Sequence, residues 1–114
     1  MNVIARTPDK TTFLGDALAG ADSTAGQFMK VTGADEVSPG SAGDDATVGV
    51  LLKDAATGAE TTCIDGGLIE FESIGGSPAV GAEVEVGAAG YPTKFTPGPA
   101  PGVIYRGSAG AWAV

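Results

Sequence analysis

Residues 46–74 have the sequence ATVGVLLKDAATGAETTCIDGGLIEFESI, which predicts three β-strands joined by two glycine-bearing turns. Apolar residues alternate with small or polar ones around Val50 and again around Ile69, the period expected when one face of a sheet is buried. Gly58, Gly66 and Gly67 mark the turns, because glycine accepts the positive φ that hairpins need. The stretch therefore predicts a β-meander.

The flanking segments predict an all-β chain. Strands are predicted at residues 27–32, 82–86, 91–96, 103–106 and 111–114. Pro92 has no amide hydrogen to donate, so its strand fits only at a sheet edge. Residues 34–45 are polar and rich in Pro and Gly, and they predict a surface loop.

The N-terminal residues differ from the rest of the chain. Residues 1–26 combine short apolar pieces with Pro8 and a run of small residues, and they predict an extended arm that becomes ordered on a partner. Residues 27–114 predict one small, glycine-rich β-barrel or β-sandwich. For residues 3–6, an ordinary first strand of the barrel is an open alternative.

The length and composition of the chain indicate how many domains it forms. The chain has 114 residues, among them 19 Gly and 7 Pro, which suits one domain with many turns. Because alanine supplies much of the apolar content, the core is thin, and oligomerisation or docking on a larger body is a plausible source of stability.

The charge balance argues against nucleic acid as a partner. The net charge is −8, and between residues 35 and 85 Lys53 is the single basic residue among many acidic ones. Such a surface repels phosphate backbones. The sequence also has no apolar run long enough to span a bilayer and no segment typical of a signal peptide, so we expect synthesis in a cytoplasm without membrane insertion.

Residue types exclude most catalytic constellations. Without histidine there is no Ser-His-Asp or Cys-His arrangement and no histidine metal ligand. Carboxylate pairs remain: Glu70 with Glu72, and Glu83 with Glu85, each pair on one face of a strand. Their alternation with apolar residues predicts a solvated sheet face, and a glycosidase using Glu70 and Glu72 is the weaker alternative.

No cofactor or metal is predicted. Asp35 and Glu36, with Asp44 and Asp45, flank a loop, but their spacing matches no calcium-binding loop. Cys63 is the single cysteine, and it predicts a small buried filler with no nearby cation to activate it.

Four segments of the chain carry a family resemblance. They are GQFMKVTG (26–33), VGVLLKDAATGAETTC (48–63), GGLIEF (66–71) and VGAEVEV (80–86). This order of strands and glycines, which covers roughly residues 26–90, resembles tailed-bacteriophage capsid decoration (cement) proteins of the lambda-type head decoration kind.

The resemblance implies a structural protein and not an enzyme. It implies a homotrimer at three-fold and quasi-three-fold positions on the outer surface of an expanded phage head, where it stiffens the shell against DNA pressure. The implied partners are the major capsid protein and the chain itself, and the implied location is the virion after synthesis in the host bacterial cytoplasm. A strand-forming arm can pair with a partner's sheet edge. The predicted capsid-binding residues are Val3, Ile4, Ala5, Arg6, Phe13 and Leu14.

Aromatic residues leave a second function open. Tyr105 and Trp112 are predicted at a trimer interface or, with Tyr91, as stacking platforms for a sugar. The alternative function is therefore a carbohydrate-binding or fibre-like attachment module displayed on a virion.

Overall fold

The computed structural model describes residues 3–5, 11–42, 47–64, 68–71, 73–79, 82–95, 104–108 and 111–113, and within these ranges it places most side chains between residues 17 and 95. The described chain forms strands and one short 3-10 helix at Ala88–Gly90. The strands are β1 (Val3–Ala5), β2 (Thr11–Ala19), β3 (Phe28–Gly33), β4 (Glu36–Pro39), β5 (Thr47–Leu51), β6 (Glu60–Ile64), β7 (Leu68–Phe71), β8 (Glu83–Val86), β9 (Pro92–Lys94), β10 (Ile104–Ser108) and β11 (Ala111–Ala113). The predicted all-β class is confirmed.

Five of the strands close into a barrel in the order β2-β4-β3-β5-β6. Neighbours in the barrel are antiparallel except β2 and β4, which run parallel with Leu18 opposite Glu36. The other six strands form an antiparallel sheet in the order β1-β7-β11-β10-β8-β9. The molecule is therefore a small barrel packed against a sheet.

Three barrel strands are buried on both faces, because successive side chains of a strand point to opposite sides. Each of β3, β5 and β6 gives one residue to the barrel interior and one to the layer between barrel and sheet. The barrel core contains Ala17, Met29, Val37, Leu51 and Cys63. The junction core contains Phe28, Val50, Ile64, Ile69, Phe71, Val84 and Val86. Burial on one face only, expected from the alternation in β5, is therefore wrong for this strand.

The predicted β-meander is correct for its first two strands and wrong for the third. β5 and β6 pair antiparallel, with Val50 opposite Ile64. β7 instead leaves the barrel and pairs with β1 and β11. Because β6 already has β5 on one side and β2 on the other, no edge remains for β7. Ile69 and Phe71 then bury their side chains from the facing sheet.

The predicted loop at residues 34–45 contains a strand. β4 lies between β2 and β3, and Val37 is 1% exposed in the barrel core. Its single apolar side chain gives no visible periodicity over four residues. β4 is a strand because it pairs with β2 and β3, and the local sequence pattern did not indicate this pairing.

The structure gives no support to the extended arm predicted for residues 1–26. β2 pairs with β6 from Thr11 to Leu18 and with β4 at its end, so it closes the barrel. β1 lies in the sheet beside β7, while residues 1–2 and 6–10 lie outside the described part. Ala17 and Ala19, which belong to the small-residue run, are buried because the narrow barrel interior accepts small side chains there.

The sheet also rests on the barrel through polar contacts at the 3-10 helix between β8 and β9. Gln27 is buried, and its Nε2 donates to the Ala89 carbonyl at 2.8 Å while its Oε1 accepts from the Thr24 amide at 2.7 Å. Gly90 has a φ of 82°, and a Cβ there would lie 2.9 Å from the Phe28 carbonyl oxygen. Only glycine meets both conditions, so the helix lies directly on β3.

We expect Gly49→Ala to lower the free energy of unfolding by about 1–3 kcal/mol. A Cβ at Gly49 would lie 2.8 Å from the Ile64 carbonyl oxygen, a backbone atom that cannot move away without disturbing the pairing of β5 with β6. Chemical denaturation measures the change.

Gly33→Ala is the matched control, because the nearest atom to its Cβ, Glu36 Oε1, would lie at 3.4 Å. We expect a change within about 0.5 kcal/mol for this variant. Equal destabilisation by both substitutions would contradict the close approach at Gly49.

Candidate functional site

One edge of the sheet is covered by the chain itself. Beside β9, the Gly75 amide donates to the Pro92 carbonyl at 3.0 Å, and the Lys94 amide donates to the Gly75 carbonyl at 2.7 Å. A Cβ at Gly75 would lie 2.8 Å from Thr93 Oγ1, so glycine is needed for this approach. The backbone groups on this side of β9 are therefore already paired, as is common at protected edges.

The other edge of the sheet is β1. Val3, Ile4 and Ala5 lie opposite Phe71, Glu70 and Ile69 of β7. Within the described ranges, the strand order ends at β1, with no further strand beyond it. Since a strand uses alternate backbone groups toward each side, an edge strand offers the outward set to another chain.

The predicted capsid-binding residues that the structure describes belong to two strands, one in the sheet and one in the barrel. Val3, Ile4 and Ala5 lie on the β1 edge, whereas Arg6 lies outside the described residues. Phe13 and Leu14 belong to β2 of the barrel, opposite Cys63 and Thr62 respectively. The predicted role of Phe13 and Leu14 in capsid binding stays a prediction, and β1 is the part that the fold places at an edge.

The acidic residues of the sheet alternate with buried ones, as the pattern indicated. Glu83 and Glu85 alternate with Val84 and Val86, which are fully buried toward the barrel, and Glu70 alternates with buried neighbours in the same way. Glu70 lies three strands from β8, roughly 14 Å at about 4.8 Å per strand, which exceeds the separation of glycosidase carboxyl pairs. Glu72 lies outside the described residues, so the Glu70–Glu72 alternative stays a prediction.

The acidic loop residues are engaged locally where they are described. Asp35 sits in the turn between β3 and β4 with a φ of 53°, and Glu36 Oε1 accepts from Thr32 Oγ1 at 2.8 Å. Asp44 and Asp45 lie outside the described residues. In the ranges that the structure covers, no group of three or more His, Cys, Asp or Glu side chains is arranged to hold a metal ion.

Backbone register locates the aromatic residues of the terminal hairpin. Tyr105 lies opposite Val84, and Trp112 lies opposite Ile69. Tyr91 is half-buried beside the 3-10 helix. The predicted roles of these aromatics at a trimer interface or on a sugar stay predictions.

Comparison with known proteins gives no family assignment: no protein-family model matches the chain, and no curated protein matches it. Among the described residues, no helix is long and apolar enough to cross a bilayer. The β1 edge is therefore the candidate site on structural grounds. Two sequence features correspond to the difference between the two sheet edges. Gly75 and Gly76 lie at the covered β9 edge, and the short apolar segment at Val3 forms the β1 edge.

Cys63 is a structural residue of the barrel core. Its side chain is fully buried, which confirms its interpretation as a small filler. Desolvation raises the pKa of the thiol to about 12, and the hydrogen bond with the Thr61 side chain offsets only part of this rise. The thiol therefore stays protonated at neutral pH and is a poor nucleophile.

We expect Cys63 to resist a disulfide thiol reagent in the native protein from pH 7 to pH 9, because burial blocks access and the thiolate is scarce below a pKa of about 12. In a denaturant such as guanidinium chloride, one thiol per chain should react within minutes. The absorbance of the released chromophore follows both reactions. Rapid native-state labelling that increases between pH 7 and pH 9 would contradict the assigned burial.

Proposed function

We propose that the chain is a capsid decoration protein, which binds the outer surface of an expanded bacteriophage head as a homotrimer at three-fold and quasi-three-fold positions. Its partners are the major capsid protein and other copies of itself. It stabilises the shell against the pressure of packaged DNA, and it acts by binding and not by catalysis. It is made in the host cytoplasm and becomes part of the virion.

The sequence resemblance and the fold class support this proposal together. The matching segments include the strand that contains Met29, both strands of the β5–β6 pair and β8. The resemblance is to small, glycine- and alanine-rich β proteins, and the chain forms a five-stranded barrel with a packed sheet. Most backbone hydrogen bonds of such a domain are satisfied internally, which leaves few positions for pairing with a partner.

The single observation that carries the proposal is the β1 edge. An edge strand gives affinity through main-chain hydrogen bonds and needs no catalytic side chain. Because the opposite edge at β9 is covered by Gly75, pairing with a shell subunit is directed to one side of the sheet. Three such contacts in a trimer bind with an avidity that one three-residue strand does not reach alone.

The experiment removes β1 and keeps the barrel. A variant that lacks residues 1–5 retains all of β2, whereas deletion to residue 14 would cut into the strand that closes the barrel. We expect the variant to fold, as judged by circular dichroism and a cooperative melt, and to lose at least about tenfold in affinity for empty expanded capsids in co-sedimentation. Binding to expanded capsids at full occupancy by this folded variant would refute the proposal.

A point substitution tests the same edge without truncation. Ile4→Pro removes one backbone donor and disfavours strand pairing at β1. We expect weaker capsid binding and an unchanged barrel. Lys94→Ala is the matched control, since Lys94 is an exposed residue of the covered edge. Equal losses of capsid binding in Ile4→Pro and Lys94→Ala would show that the contact does not depend on β1 and would overturn its proposed role.

A further inference from the structure

Two loops at the same end of the barrel carry the same short motif. Residues 22–26 have the sequence DSTAG between β2 and β3, and residues 54–58 have the sequence DAATG between β5 and β6. Each motif ends in a glycine with positive φ, 98° at Gly26 and 84° at Gly58. The fifth residue of each loop is therefore a glycine in the positive-φ region.

The loops bind each other reciprocally. The Ser23 amide donates to the Ala55 carbonyl at 2.8 Å, and the Ala55 amide donates to the Ser23 carbonyl at 2.9 Å. Asp22 Oδ1 accepts from the Thr57 amide and from Thr57 Oγ1, both at 2.9 Å. In return, Asp54 Oδ1 accepts from the Ala25 amide at 2.8 Å. The first residue of each motif thus binds the backbone of the fourth residue of the other.

The reciprocity continues into the strands. The Gly26 amide donates to the Leu51 carbonyl at 2.8 Å, and its counterpart, the Gly58 amide, donates to the Ala19 carbonyl at 2.7 Å. The pairing of Phe28 with Val50 in β3 and β5 has its counterpart in β6 and β2, where Glu60 lies opposite Leu18. At this end of the barrel, a local pseudo-two-fold axis near the Ser23–Ala55 bridge therefore relates β2 and β3 to β5 and β6, while β4 has no counterpart.

The two related strand pairs, β3 with β5 and β2 with β6, differ in what covers them. Phe28 and Val50 lie under the sheet and are fully buried, whereas Leu18 is 42% exposed and Glu60 is exposed. The seam between β2 and β6 therefore gains less from apolar burial at this end than the seam between β3 and β5. Its closure depends correspondingly more on the contacts between the loops.

We propose that residues 22–26 and 54–58 form a reciprocal carboxylate latch, which holds this end of the barrel shut and opens as one unit. Ser23, Ala25 and Ala55 of the latch are buried, so opening exposes this end of the barrel to water. Hydrogen bonds to a charged carboxylate are stronger than neutral ones. The two bonds from Thr57 also lower the pKa of Asp22 below its ordinary value.

Amide hydrogen exchange tests whether the latch is one unit. We expect Asp22→Ala and Asp54→Ala each to accelerate exchange about tenfold at all four loop amides, those of Ser23, Ala25, Ala55 and Thr57. The double variant should add less than twofold to either single one, because the first substitution already opens the whole latch. Glu60→Ala is the control: it removes a neighbouring exposed carboxylate that lies outside the latch and should leave these rates unchanged.

Independent loops would give a different pattern. Acceleration confined to Thr57 in Asp22→Ala and to Ala25 in Asp54→Ala, with multiplying effects in the double variant, would overturn the proposal. If an alanine variant does not fold, Asp22→Asn and Asp54→Asn replace it, because the asparagine Oδ1 still accepts a hydrogen bond without the charge. Those variants should accelerate all four amides together by a smaller factor, and acceleration of one amide alone would again contradict a single unit.

Discussion

Two-sided burial of β3, β5 and β6 is the constraint on which the rest of the structure depends. Each of these strands places one side chain in the barrel core and its neighbour in the junction core, as Val50 and Leu51 illustrate in β5. The barrel interior alone contains small and medium side chains such as Ala17 and Cys63, and it would be a thin core by itself. The sheet adds a second apolar layer on the same strands. Barrel and sheet therefore stabilise each other through the junction core, to which both contribute side chains.

This arrangement explains where the molecule can interact with others. One side of the barrel is covered by the sheet, and the sheet's far edge at β9 is covered by Gly75. Among the described strands of the sheet, β1 is the other edge, and it is the edge that the proposed capsid contact uses. The carboxylate latch lies at the end of β2, the strand that follows β1 in the chain. Under the proposed function, β2 follows the capsid-contacting strand β1 in the chain and is part of the barrel. The proposed latch would hold the C-terminal end of β2 in place.

The candidate site was only partly predictable from the sequence. The apolar segment at Val3 indicated a strand, and Pro92 indicated an edge, because these follow from local chemistry. The covering of the β9 edge depends on the contact of Gly75 with Thr93, which lies 18 residues further along the chain. The local sequence pattern carries no information on this contact. The sequence also indicated Phe13 and Leu14 as capsid-binding residues. The structure places both residues in β2 of the barrel, opposite Cys63 and Thr62 of β6.

The amino-acid sequence by itself determined the all-β class, the position of most strands, the alternation of Glu83 and Glu85 with buried valines, and the inert character of Cys63. Each of these follows from a residue's own chemistry or from a period of two along the chain. Only the tertiary structure decided that β7 leaves the barrel, that β4 exists, that residues 11–19 close the barrel, and that two DxxxG loops hold each other. Those outcomes depend on which strand edges are still unpaired and which faces meet, and pairing between segments far apart in sequence leaves little trace in local composition.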